Sequence, residues 1–405
     1  MKKKLLASLF TIAFILFFIL AFSTVYSVTI KPTLNSTVSE KGNISQALTA
    51  TSRILPNVSK TIKLTQTTSV KGKTPLPTQK PTEPDVNVSY MGSIMSAVYN
   101  EFPDFNITFA DFEVTNPGKS PVKITIESEI PGYSELAVTT AIVPANTTVV
   151  FGQTPLLVMS KIPATLKTVS FHYRVTADGK NVIDEQTPLL KLFAKDTMVW
   201  SVIDGDKKVS QSQFIAAWVT PHIQGIQDLL RIAAEYSPDH SITGYMCSDC
   251  ITEEEWRNSS NNQVKAIYDA LKNEYKITYI SSTIAFGPGS NAYQRVHLPE
   301  QTLMDSSANC IDGTVLFASA IEAMGMNPLI VIIPGHAFVG WKISPNSEEM
   351  EFLETTMIDT NSFEDALQRG AKEYQGEIDN GNFETNMSEI IDISELRKVG
   401  ITPME

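Results

Sequence analysis

The chain has 405 residues, 42% of them hydrophobic, with 44 acidic against 32 basic side chains and a formal net charge of −12. That length allows two folded domains with sizeable cores plus accessory segments. The acid excess, with no basic patch to neutralise phosphates, excludes nucleic acid as a partner.

At the amino end Lys2, Lys3 and Lys4 precede an uncharged apolar run over residues 5–22. The run is long for a signal-peptide core and short for a bilayer span, so residues 1–28 read as a signal anchor or a signal peptide. The lysines would stay in the cytoplasm. The rest would then lie outside the cell, held to the membrane by a single pass, or secreted if cleavage occurs after Val25-Tyr26-Ser27. Residues 29–85 are rich in Ser, Thr, Pro and Lys without sustained periodicity, the composition of a disordered linker or stalk.

Residues 86–195 change to short β-type runs at 107–114, 122–126, 136–142, 147–151, 168–175 and 189–193. They are separated by turn clusters such as Asn116-Pro117-Gly118 and Asp178-Gly179. This spacing predicts an all-β, immunoglobulin-like sandwich. No titratable residues group there, so the segment reads as a spacer or a binding module.

From residue 196 to 405 helical and strand patterns alternate. Ile226, Leu229, Leu230 and Ala233 predict a helix over 224–235, and Val264, Ile267, Tyr268 and Leu271 one over 262–275. A strand is expected over 277–284 and a loop over 287–305 that carries Gln294 and Arg295. Ile311, Val315, Leu316, Ala318, Ile321 and Met324 then predict an amphipathic helix over 310–324, ended by Gly325. Cys310 falls on its first turn, where unpaired N–H groups and the helix dipole favour negative charge on sulfur. A buried strand over 329–333 follows. A second strand, 337–341, is opened by His336, and a third, 350–356, carries Glu354. Helices over 362–373 and 393–399 close the chain. The acidic residues beyond Ser347, Glu373 among them, read as a solvated face.

Three cysteines are present. Cys247 and Cys250 form a Cys-Ser-Asp-Cys pair suited to a small disulfide in an oxidising compartment, or to a metal half-site completed by His240 or His297. The disulfide reading leaves Cys310 as the free thiol. A thiol at a helix start, a His on one strand and an acid on the next is the arrangement of a nucleophile, its base and the base's orienter.

The block over 309–356 resembles the transglutaminase-like superfamily of papain-related thiol enzymes. The resemblance rests on Cys310 with Asp312 two positions on, Met324-Gly325, His336-Ala337-Phe338 and Glu354. It is similar to a membrane-anchored archaeal and bacterial branch that reads Gly-His-Ala-Phe and Leu-Glu-Thr-Thr at these points. The resemblance implies Cys310 as nucleophile, His336 as base and Glu354 as orienting acid, where many relatives carry Asp; Asp359 is the fallback. The Cys310 backbone N–H and the Gln294 side chain are the oxyanion candidates.

These readings predict a multi-domain fold class: a transmembrane segment and disordered stalk, an immunoglobulin-like sandwich over 86–195, and an α+β transglutaminase-like (papain-like) domain over 196–405. They imply a cell-surface thiol enzyme acting on amide bonds of a protein or peptide, as peptidase, amidase or transglutaminase, with no cofactor and no metal. The alternative is a noncatalytic surface protein used for binding or envelope structure.

Overall fold

The computed structural model describes residues 31–32, 83–204, 207–281 and 293–404. They divide into two compact units whose segments interleave along the chain.

The first unit comprises the described parts of Met1–Gly92 with Ile107–Leu156 and Val169–Leu190. Its strands are β1 (Asp85–Tyr90), β2 (Ala110–Asn116), β3 (Val122–Glu129), β4 (Ala137–Val143), β5 (Thr147–Gln153), β6 (His172–Ala177) and β7 (Asn181–Gln186). One antiparallel sheet runs Lys31–Pro32, β5, β2, β1, and the other β7, β6, β3, β4. Strand alternation sets the inner faces: Phe112 and Val114 on β2, and Ile124 and Ile126 on β3, are buried. An edge-on contact between Phe112 and Tyr173 joins the two sheets.

The second unit comprises Ser93–Asn106, Leu157–Thr168 and Lys191–Glu405. Its helices are α1 (Gln224–Ala233), α2 (Glu253–Asn273), α3 (Pro299–Asp305), α4 (Cys310–Ala323), α5 (Phe363–Asp379) and α6 (Ile393–Lys398). A short ribbon pairs β8 (Thr197–Val199) with β9 (Tyr293–Arg295). The main sheet is antiparallel in the order β12 (Met350–Leu353), β11 (His336–Lys342), β10 (Pro328–Ile333), β13 (Glu389–Asp392). Every residue of α4 from Cys310 to Ile321 is buried. The helix expected to be amphipathic is therefore a core helix buried on all sides, its Thr314 and Ser319 hydroxyls donating to the Cys310 and Val315 carbonyls.

The fold-class expectation is corrected by these findings. The described chain is mixed α/β, with its strands spread over several sheets, and the block over 86–195 is not one contiguous domain. Segments 93–106 and 157–168 group with the second unit. They are tied there by contacts far apart in sequence: Leu192 pairs with Ile94, Ser96 Oγ donates to the Phe193 carbonyl, and Thr402 donates to Glu101. Strand patterns report each element's period but not its partner, so such partitioning is invisible to them. Residues 31–32, inside the expected disordered linker, form a strand against β5; the rest of that linker up to residue 82 lies outside the described residues.

The single-pass membrane placement is also corrected. Among the described residues no helix is long and apolar enough to cross a membrane. The longest, α2, has 21 residues but carries Glu253, Glu254, Glu255, Arg257, Lys265, Asp269 and Lys272, each costly in a bilayer. The apolar run at 5–22 lies outside the described residues.

Two glycines in α5 separate close packing from simple propensity. A Cβ on Gly370 would lie 2.6 Å from the Phe352 carbonyl carbon and oxygen, so only glycine lets α5 press onto the end of β12. At Gly376, six residues on, a Cβ meets nothing within 4 Å. Gly370→Ala should therefore destabilise the unit by about 1–3 kcal/mol through overpacking. Gly376→Ala should be neutral, or stabilise by about 1 kcal/mol through helix propensity. Thermal melts of the two variants check this; equal effects would contradict the packing.

Candidate functional site

The site is built where α4, β11, the turn after β12 and α5 meet within the second unit. Asn309 caps α4: its side chain accepts from the N–H groups of Ile311 and Asp312, and the Asp312 carboxylate reaches back to the Asn309 N–H in a capping box. This fixes Cys310 as the first helical residue, buried and with a free thiol. Asp312 does more than complement the helix dipole. It accepts the His297 N–H at 2.8 Å, which joins the chain following β9 to the first turn of α4. Burial pushes the Asp312 carboxyl upward from its ordinary range.

His336 and Glu354 are set by strand register. Val339 faces Leu353 and Gly340 faces Phe352. Extending the register puts Phe338 opposite Glu354, so His336 and Glu354 are diagonal neighbours on one face. Glu354 lies just past the strand end, where its own side chain caps the turn Thr355–Met357. Its Oε1 accepts from Thr356 N at 2.9 Å and Thr356 Oγ1 at 2.6 Å. Its Oε2 stands 2.6 Å from His336 Nε2. The turn is brought to α4 by another glycine: a Cβ on Gly313 would sit 3.0 Å from Thr355 Oγ1, and that hydroxyl reaches the Cys310 carbonyl at 3.5 Å.

Cys310 completes the set, since its side chain is near enough to act on the His336 imidazole and raise its pKa. Burial alone would lower the imidazole's pKa, but the hydrogen bonds and charges of Cys310 and Glu354 outweigh it and raise it to about 10. Glu354 is only 2% exposed. Burial pushes its carboxyl up, yet the His336 and Thr356 donors overcome this and hold it below its ordinary value. The arrangement is a buried carboxylate fixing an imidazole that contacts a thiol. The thiol has no exposed surface, whereas 23% of the His336 side chain is exposed.

The other named residues fall as follows. Asp359 is exposed, while Glu354 occupies the position beside the imidazole. Gln294 is buried on β9, paired through its backbone with Met198, three residues before the His297 contact to Asp312. Cys247 and Cys250 are joined by a disulfide with Cα atoms 5.4 Å apart. The two histidines weighed as metal partners for that pair sit against acids instead, His240 3.6 Å from Glu235 and His297 3.6 Å from Asp312. Trp341 is fully buried and donates to Ser260 Oγ at 3.3 Å.

Glu373 is the residue that sequence reasoning missed. Assigned to the solvated acidic face, it projects from α5 with Oε2 3.5 Å from His336 Nε2. Its signal was present: Phe363, Ala366, Gly370 and Glu373 fall on one helical stripe, and the first three are buried. His336, Glu354 and Glu373 offer ligand atoms within 4.8 Å of one another, a set that could also take a metal ion.

No family model and no curated protein matches the chain. Among solved structures, the ASH/PapD-like domain of human CEP192 (PapD-like domain 7) is similar at 12% identity, over 32% of this chain and 95% of that domain, with a TM-score of 0.15. A likeness that slight carries no argument about fold or function.

The electrostatics give a pH test. A histidine whose folded pKa is raised above its ordinary 6.5 contributes stability that is fully present below about pH 6.5 and fades as pH climbs toward the raised value. His336 should therefore still be imidazolium at pH 8. Nitrogen-15 NMR of histidine-labelled protein reads this directly, with the His336→Gln variant assigning the signal. Neutral-imidazole shifts at pH 8 would contradict the arrangement.

Proposed function

We propose that the chain is a thiol enzyme acting on amide bonds through an acyl-enzyme on Cys310, as the resemblance to the transglutaminase-like superfamily implies. The single observation that carries this reading is that one imidazole is hydrogen-bonded to a buried carboxylate while the only free cysteine lies near enough to help raise its pKa. Such proximity is the requirement for an activated thiol.

In the proposed reaction the Cys310 proton already resides on His336, and the thiolate sulfur attacks the amide carbonyl to form a carbon–sulfur bond. The tetrahedral oxyanion is met by the Cys310 backbone N–H, with Gln294 the side-chain candidate. The imidazolium then returns the proton to the departing amine nitrogen as the carbon–nitrogen bond breaks. Water or a second amine attacks the thioester, again giving its proton to His336, and the carbon–sulfur bond breaks to restore the thiol. Water gives a peptidase or amidase; an amine gives a transglutaminase. Throughout, Glu354 stays ionised and holds the ring, the role of the buried acid in nucleophile–base–acid sites.

A protein or peptide amide is the substrate class, and no cofactor enters these steps. The rival reading, that Cys310 is a buried small residue in a noncatalytic protein, draws on its lack of exposed surface. Alkylation by iodoacetamide at pH 7, with the site located by peptide mass, decides between them. Cys310 should react in the wild-type chain and slow by about 10²–10⁴-fold in His336→Ala, the range for loss of a general base. A Cys310 that is inert in the folded protein, or that reacts equally in both, would overturn the reading. Incubation with peptide mixtures, with and without an added amine, then separates hydrolysis from transfer.

A further inference from the structure

Two carboxyl groups, not one, face the Nε2 side of His336. Glu354 comes from the turn after β12 and Glu373 from α5, which is held against that turn by the Gly370 contact and by the Glu354 N–H donating to the Ala366 carbonyl at 3.1 Å. The oxygens of Glu373 are differentiated. Oε1 accepts from Arg369 Nε at 2.7 Å and lies 2.7 Å from Arg369 Nη2, while Oε2 has no hydrogen-bond partner of good geometry and points at the imidazole from 3.5 Å. An acid used only for a helix-surface ion pair has no need to turn an oxygen inward.

We propose that Glu373 is a positioning residue for the proposed thiol chemistry: its carboxyl closes the Nε2 side of His336 beside Glu354, and when ionised it adds a second negative charge that holds the imidazolium against the Cys310 sulfur. This rests on the thiol-enzyme reading above.

The two acids are pushed apart by their surroundings. Two carboxylates this close do not both ionise cheaply. Glu354 keeps its charge because Thr356 and His336 supply its donors. Glu373 takes the cost. Burial first, then the hydrogen bond and charge of Glu354, raise it to about 7, against the opposing pull of His336 and Arg369. The groups facing it are therefore Arg369 on its own helix, His336 on β11 and Glu354 on the turn. With Glu373 protonated the imidazolium has one counter-charge, Glu354; with Glu373 ionised it has two. Environments that separate neighbouring carboxyl groups in this way mark functional pairs. The consequence is a site whose imidazolium, needed to protonate the leaving amine, survives further into alkaline pH than Glu354 alone would allow.

The test compares the full chain with Glu373→Gln and Glu373→Asp. Neutral iodoacetamide reports the thiol alone, whereas anionic iodoacetate is also drawn by an adjacent imidazolium, so their rate ratio at Cys310 follows the charge on His336. In the wild type the ratio should fall only as pH approaches the imidazole's raised value. In Glu373→Gln, which keeps a hydrogen-bond donor but cannot ionise, the fall should come at least one pH unit earlier, a tenfold change in the protonation ratio. Glu373→Asp, which keeps the carboxyl, should stay nearer the wild-type midpoint. A reactive wild-type thiol with the same midpoint in Glu373→Gln overturns this proposal alone. A wild-type Cys310 inert to both reagents overturns it together with the thiol-enzyme reading.

Discussion

The hydrogen bond between Glu354 and His336 is the interaction on which the rest of the site depends. A carboxylate that is 2% exposed has lost its water, and such a group is tolerated only where protein donors replace it. Thr356 supplies two and His336 the third. Removing one partner from a buried pair of this kind costs about 3–5 kcal/mol, because the other charge is left uncompensated. The same bond orients the ring. Against burial, which would lower it, the Cys310 side chain and this bond together raise the imidazole's pKa.

Packing brings the parts together through small residues at close approaches. Gly313 lets the first turn of α4 approach Thr355, and Gly370 lets α5 approach the backbone of Phe352 and Leu353. On the far side of that junction Phe352 stacks on Tyr374 at 4.0 Å between ring centres, within a cluster that includes Val331, Phe338 and Phe383. Aromatic contacts of this kind add about 0.5–1.5 kcal/mol beyond area burial. They fix α5 in rotation about its axis, which aims Glu373 one turn beyond Gly370 at the imidazole. The capping box of Asn309 and Asp312 performs the equivalent task at α4, setting where the helix begins and hence where the thiol sits.

Much of this site was legible in the sequence, because its signals are local. Cys310 after Asn309, the apolar spacing to Ile321, the β-branched run before Pro334 and the order of His336 and Glu354 all lie within one stretch of chain. The helix starting at Glu253 was read nine residues short, because its first turn is charged; the capping-box pair Thr252 and Glu255 was the overlooked cue. Relations between distant segments were not legible. The grouping of 93–106 with the C-terminal half, β13 pairing with β10, and the approach of Glu373 to His336 all depend on tertiary contacts. Composition misjudged Glu373 for the same reason: an acidic run reads as solvated until the helix's small-residue stripe is followed to its end.

The central claim is that Cys310 carries an acyl group during turnover. Mass analysis of acid-quenched protein after brief exposure to an activated acyl ester measures that species directly. The account predicts a single acyl adduct on the peptide bearing Cys310, absent from Cys310→Ala and strongly reduced in His336→Ala and Glu354→Gln. A folded wild-type chain that never acquires the adduct, or acquires it equally without His336, would contradict it.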